Sequence, residues 1–164
     1  MKYVKELLPY VLIILVVVLI RTFIVTPVRV NGKSMDPTLE NNEIVLLKKY
    51  DKSFDRFDIV VFDYEDSHLI KRIVGLPGET LYYYKNDLYI NDEKVKEDFL
   101  PEGTETYDFV WDTKIPEDYY FVMGDNRENS TDSRVIGLVA KEDIRGTTNF
   151  VLFPFNRFGN IKGA

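Results

Sequence analysis

The nineteen residues from Leu7 to Val25, LLPYVLIILVVVLIRTFIV, carry one charge, Arg21. As a helix this run measures about 28 Å, close to the ~30 Å hydrocarbon core of a bilayer. Arg21 lies one turn from the outer end, where its guanidinium can extend to the headgroups. Pro9 falls in the first turn of that span, where a missing N–H matters little. Lys2 and Lys5 favour a cytoplasmic N-terminus over residues 1–6, an asymmetry tempered by Glu6, Arg21 and Arg29. A cleaved leader needs small residues just past the apolar run, yet the first alanine is Ala140 and Thr26-Pro27 is a poor substitute. The run is therefore expected to be a retained anchor over 7–25. Residues 26–164 are left to fold outside the bilayer.

That remainder has enough apolar content to build a core, since the 164-residue chain is 45% hydrophobic and 14% aromatic. With no cysteine, a thiol nucleophile, a disulfide framework and a cysteine-based zinc site are all excluded. His68 is the single histidine, so an imidazole base could come from nowhere else. The net charge of −6 is unevenly spread, with eleven acids against three lysines between Asp87 and Asp118. No basic stripe tracks a phosphate backbone, which argues against a nucleic-acid partner.

After Pro27 the pattern breaks into short β-like pieces. Val28-Arg29-Val30 alternates, and Glu43–Lys48, Asp58–Phe62 and His68–Val74 are rich in Val and Ile at strand length. Pro77-Gly78 marks a turn, TLYYYKNDLYI reads as a hairpin pivoting at Asn86-Asp87, and a short strand is expected near Lys94–Lys96. Further strands are expected at Tyr119–Met123 and Ile144–Phe153. No amphipathic helix of ordinary length follows residue 27. The expected fold class is mainly β, a single β-rich domain behind one transmembrane helix, with 87–118 as a short acidic insertion.

Three segments could carry chemistry. In Asn31-Gly32-Lys33-Ser34-Met35-Asp36-Pro37-Thr38-Leu39 a glycine two residues before a serine and a proline three after it form a tight bend. Such a bend can expose a nucleophilic hydroxyl, or it can be an ordinary Gly-Ser turn. In the second segment, Lys71 shares a strand face with Leu69 and Ile73. Desolvation there would lower its pKa toward that of a general base; alternatively its stem covers the sheet while the ammonium stays in water. His68, three residues away, points to the opposite face. The third, Gly124-Asp125-Asn126-Arg127-Glu128-Asn129-Ser130-Thr131-Asp132-Ser133-Arg134, is either a solvated turn or the wall of a polar site, and its Asn129-Ser130-Thr131 also matches a glycosylation sequon.

The order Ser34-Met35-x-Pro37-Thr38, then Lys71-Arg72-x-x-Gly75-x-Pro77-Gly78, then Gly124-Asp125-Asn126-Arg127-x-Asn129-Ser130-x-Asp132-Ser133-Arg134 resembles the type I signal peptidases. The resemblance runs from the anchor to about Phe155, and the short acidic region looks like the compact Gram-positive form. It implies a signal-peptidase-like β catalytic domain lying against the outer face of the membrane, with Ser34 as nucleophile and Lys71 as general base. By the same resemblance Ser130 hydrogen-bonds and orients the lysine, Asp132 and Arg134 form a supporting ion pair, and Asp125 and Arg127 belong to the same scaffold. Gly32 stands where some members carry a hydroxyl that serves as second oxyanion donor, so that donor is unassigned. Preprotein signal peptides are the implied substrate, added as a strand, with Val28, Val30, Leu39 and Ile70 expected to form apolar pockets for small residues at −1 and −3. Membrane lipid and the secretion translocon are further expected partners, and no cofactor or metal is implied. Three alternatives remain open: a self-cleaving repressor of related core, which would carry a DNA-binding domain in place of the anchor; an inactive tethered assembly factor; and a peptidase specialised for a few surface proteins.

Overall fold

The structure, a computed structural model, describes residues 2–51, 53–161 and 163. Met1, in the expected cytoplasmic stretch, and Ala164, at the end of the β domain, lie outside the described residues.

Helix α1 spans Lys2–Phe23, and its stretch Glu6–Phe23 has a mean hydropathy of 2.2 with none of it buried against the rest of the chain. It is long and apolar enough to cross a membrane. Its boundaries differ from the apolar run at both ends. The helix extends through the polar residues before Leu7, so Pro9 lies well inside it and not in its first turn. There it removes the N–H that would bond four residues back. At the other end the helix stops at Phe23, and Val25 already belongs to strand β1. Thr26 Oγ1 donates to the Arg21 carbonyl at 2.7 Å, and Lys49 Nζ donates to the carbonyls of Arg21 and Thr22 at 3.3 and 3.2 Å. These bonds satisfy carbonyls that the last helical turn leaves open.

Among the described residues twelve strands follow: β1 Val25–Arg29, β2 Ile44–Lys48, β3 Ile59–Tyr64, β4 Ser67–Gly75, β5 Leu81–Tyr84, β6 Asp87–Ile90, β7 Glu93–Val95, β8 Phe109–Trp111, β9 Tyr119–Met123, β10 Val139–Ala140, β11 Ile144–Phe153 and β12 Gly159–Asn160. An eight-stranded sheet runs β1-β2-β11-β3-β4-β9-β10, with β12 on β11; a four-stranded sheet runs β7-β6-β5-β8. All pairings are antiparallel. Strands β8, β10 and β12 were not foreseen. The one helix among the described residues after the anchor, α2, is a single turn over Ser133–Ile136.

Turn chemistry corrects the hairpin expectation by one residue. Tyr84 pairs with Asp87, so the pivot is Lys85-Asn86, both at positive φ (51° and 67°). A two-residue hairpin needs that left-handed pair, and Asn tolerates it well. Asn91-Asp92 repeats the device between β6 and β7, at 50° and 69°. The small sheet therefore starts at Leu81, before the acidic stretch, and 87–118 carries its other three strands.

Alternation along β4 divides the core. Ile70 packs with Val30, Met35, Leu39, Val45 and Val61, whereas Leu69 and Ile73 join Phe54, Val60, Phe62 and Val122. A third cluster joins Leu81, Tyr83, Leu88 and Ile90 of the small sheet to Val74, Phe121 and Met123 of the large one. This apolar seam holds the two sheets together.

Candidate active site

Ser34 sits on the bend that leaves β1. Gly32 turns the chain at φ +92°, its N–H donating to Asn41 Oδ1 at 2.9 Å. Two turn bonds, Asp36 N–H to the Lys33 carbonyl at 3.1 Å and Leu39 N–H to the Met35 carbonyl at 2.9 Å, coil the chain just after it. Met35 and Leu39 are thereby driven into the core, while Ser34 stays partly exposed.

Lys71 lies 37 residues later in the chain but beside it in space: its Nζ is 2.7 Å from Ser34 Oγ and 3.0 Å from the Ile70 carbonyl. The side chain is enclosed, at 2% exposure. Burial lowers its pKa to about 8, against the opposing pull of the Asp132 and Asp125 carboxylates. A lysine that loses its proton near neutral pH, in contact with a hydroxyl, can take that hydroxyl's proton.

The loop 124–134 supports Ser34 directly. The Asn126 N–H donates to the Ser34 carbonyl at 3.0 Å, and Asn126 Nδ2 donates to the Lys33 carbonyl at 3.0 Å. Gly124 packs so tightly here that a Cβ would collide with the Ser34 carbonyl and the Ser130 side chain. Asp132 grips Arg134 through two bonds (Nε at 2.8 Å, Nη2 at 2.7 Å) and accepts the Gly124 N–H at 3.0 Å. Burial alone would raise the Asp132 pKa; the Arg134 bonds, with the Gly124 N–H, bring it below the usual carboxylate value. Ser133 Oγ accepts the Val122 N–H at 2.9 Å, pinning the loop back to β9.

One expectation about this loop needs correction. Ser130 makes no hydrogen bond to Lys71: its Oγ is buried without a bonded partner, although its hydroxyl is near enough to Asp132 to add a small stabilisation to that carboxylate. Asp125 finds its partner on β4. It binds Arg72, at 2.9 Å to Nε and 2.7 Å to Nη2, with both side chains fully enclosed. The register explains the choice, because Arg72 pairs with Met123 and Asp125 is two residues further on. Arg127 turns instead to Tyr83 of the small sheet and to Glu97, in the segment between β7 and β8.

A groove of about 510 Å³ opens beside the pair, lined among others by Val28, Val30, Ser34, Ile70 and Lys71. Its two walls are β1, which bonds only β2, and the first half of β4, which bonds only β3. Leu39 shares the core cluster of Val30 and Ile70 but is fully buried and not among the residues lining the groove. His68 also lines the groove, and its Nδ1 lies 2.6 Å from Asp63 Oδ1. Among the described residues no cluster of His, Asp and Glu is arranged to hold a metal.

Sequence reasoning missed Arg72, Asn126, Gly124 and Glu97 as supports. The first three stand inside the quoted motifs and could have been taken from them. Glu97 is one acid among many in its segment, and nothing local distinguishes it.

A family model described as signal peptidase, peptidase S26, matches residues 2–153. The chain is 44% identical over 161 residues to a signal peptidase I of Bacillus amyloliquefaciens, covering 91% of this chain and 87% of that protein. It is 45% identical over 159 residues to signal peptidase I S of Bacillus subtilis (strain 168), covering 89% and 86%. A crystal structure of a signal peptidase I from Enterococcus faecalis V583 is similar at a TM-score of 0.53 and 35% identity, over 58% of this chain and 96% of that one. With its mainly β fold behind one apolar helix, the chain belongs to the signal peptidase family, peptidase S26.

Proposed function

We propose that this chain is a membrane-anchored serine endopeptidase that removes signal peptides from translocated preproteins through a Ser34–Lys71 dyad. The observation that carries the reading is the 2.7 Å contact between Lys71 Nζ and Ser34 Oγ, made by a lysine whose burial brings its pKa to about 8. Neutral Lys71 takes the Ser34 proton as Oγ attacks the scissile carbonyl. The Ser34 N–H stabilises the oxyanion. Lys71, now protonated, donates to the leaving amine, and water repeats the cycle on the acyl-enzyme.

The substrate enters as an extended strand between the open edges of β1 and β4. Small residues at −1 and −3 face the shallow apolar surface of Val28, Val30 and Ile70, with Leu39 packed in the same core cluster. β1 joins α1 directly, so at about 3.4 Å per residue the groove begins within roughly 17 Å of the helix end. That suits a substrate whose cleavage region emerges at the membrane surface, with the N-terminus of the anchor cytoplasmic and the β domain outside.

The test is to incubate the detergent-solubilised protein with a preprotein and map the cut. Cleavage after a small-x-small site is expected for the wild type, with activity abolished in Ser34→Ala and Lys71→Ala. Persistent cleavage by either variant would refute the dyad.

A further inference from the structure

The segment between β7 and β8 reaches out of the small sheet and touches two arginines of the site's support, Arg127 and Arg72. Glu97 meets Arg127 through two bonds, Oε1 to Nη2 at 2.6 Å and Oε2 to Nη1 at 3.2 Å, and its Oε1 also accepts the Tyr83 hydroxyl at 2.8 Å. The Arg127 side chain is wholly enclosed and that of Glu97 is 7% exposed. Two residues on, the Phe99 ring lies 3.9 Å from the guanidinium carbon of Arg72. We infer that Glu97 is a positioning residue for the peptidase reaction: its carboxylate fixes Arg127, and through Arg127 the loop that holds Ser34. This rests on the Ser34–Lys71 reading given above.

Each link is a direct contact. Arg127 Nε donates to the Gly124 carbonyl at 3.1 Å, and Nη1 donates to the Tyr83 hydroxyl at 2.6 Å, so the guanidinium ties Gly124 to the small sheet. Gly124 is the residue on which the Ser34 carbonyl rests without room for a Cβ. Asn126, next to Arg127, bonds the Ser34 and Lys33 carbonyls. Asp125, between them, holds Arg72, the strand neighbour of Lys71. A buried arginine stripped of its counter-ion cannot remain where it is. It must draw in water or turn to another carboxylate, and Asp125 is on the same three-residue stretch. Either response shifts the residues that set the height and direction of the Ser34 hydroxyl.

The small sheet thus has a task in the reaction although none of its residues lines the groove at Ser34 and Lys71. The remaining acids of the segment 87–118 do not share it, because Glu97 is the member with a buried arginine partner among the described ion pairs.

Steady-state cleavage of a preprotein by the full chain in detergent tests this with two variants. Glu97→Ala should lower kcat by about 100-fold, the scale of loss for a misplacement near 1 Å, with KM within threefold of wild type. Glu97→Gln preserves the shape and keeps one oxygen that can accept from Arg127 Nη2 and the Tyr83 hydroxyl, while its NH2 cannot accept from Nη1, and it should lower kcat by only about tenfold. Near-ultraviolet circular dichroism checks that each variant is folded. An unchanged kcat in folded Glu97→Ala, a loss confined to KM, or unfolding of both variants would overturn the inference and leave Glu97 a purely structural residue. Failure of the wild type to show Ser34- and Lys71-dependent cleavage is a separate result, and it would strike the dyad itself.

Discussion

In the loop 124–134 the carboxylates of Asp125 and Asp132 are wholly enclosed, and each holds an arginine through two bonds. In the segment 87–118, Asp87 and Asp98 stand in water against Lys94 and Lys96, with side chains 40–85% exposed. Both stretches are dense in acids, and from their composition either could be a solvated surface. The difference is the dielectric around them. An enclosed pair cannot lose one member without leaving a charge that water does not reach, whereas an exposed pair loses little because water and salt already screen it. Glu97 is the exception in its segment, since it leaves the surface to join the buried set.

The largest effect should come from breaking the enclosed pair beside the lysine. Asp125→Ala leaves the Arg72 guanidinium without its counter-ion, with only backbone carbonyls such as that of Phe57 to accept from it, and the expected loss is about 3–5 kcal/mol in urea denaturation. Replacing both, as Arg72→Met with Asp125→Leu, should recover most of that stability, because no buried charge is then left alone. Should Asp125→Ala unfold at the wild-type urea midpoint, the contrast between the two regions would have no energetic content.

A smaller effect, of opposite sign, is expected at Lys71. The fold lowers its pKa from the ordinary 10.5 to about 8, so between those values the unfolded chain binds more protons than the folded one. Stability attributable to this residue therefore rises with pH from about 8 to 10.5, and below about 8 the burial of an ammonium group opposes folding in full. Lys71→Met should stabilise the protein by about 2 kcal/mol at pH 7, after allowing for the lost bonds to Ser34 and Ile70, and the gain should fade as pH approaches 10.5. Activity follows the same group with the opposite demand. The wild-type rate should fall roughly tenfold per pH unit below about 8 and level off above it. A rate that is flat into acid would remove Lys71 as the base.

How much of this could be read from the chain varied with the range of the forces involved. The long apolar helix, the strands from Glu43 to Val74 and the bend at Ser34 were legible because apolar blocks, β-branched runs and Gly-Pro punctuation act locally. Lys71 was legible as a desolvated residue because alternation alone puts it on the face of Leu69 and Ile73. The partners of the buried charges were not. The motif places Asp125 in a supporting scaffold but does not name its partner, which register supplies as Arg72 from β4. Three-residue strands such as Phe109–Trp111 carry too little pattern to be seen before the sheet that pairs them exists. The helix ends at Phe23 because Lys49 and Thr26 cap it, and one of those lies far along the chain.

The smallest effect expected is at Lys96, and it sharpens the contrast most closely because Lys96 and Asp98 flank Glu97. Their ion pair is 85% and 73% exposed, and two long, mobile side chains gain little from meeting in water. Lys96→Ala should leave the urea midpoint and kcat of preprotein cleavage at wild-type values, at both low and high salt. If it instead lowers kcat as Glu97→Ala does, the path of the backbone between β7 and β8 would carry the coupling to Ser34, and the buried carboxylate would not. If only Glu97 responds, three consecutive charged residues differ in function solely by which of them faces the enclosed arginine.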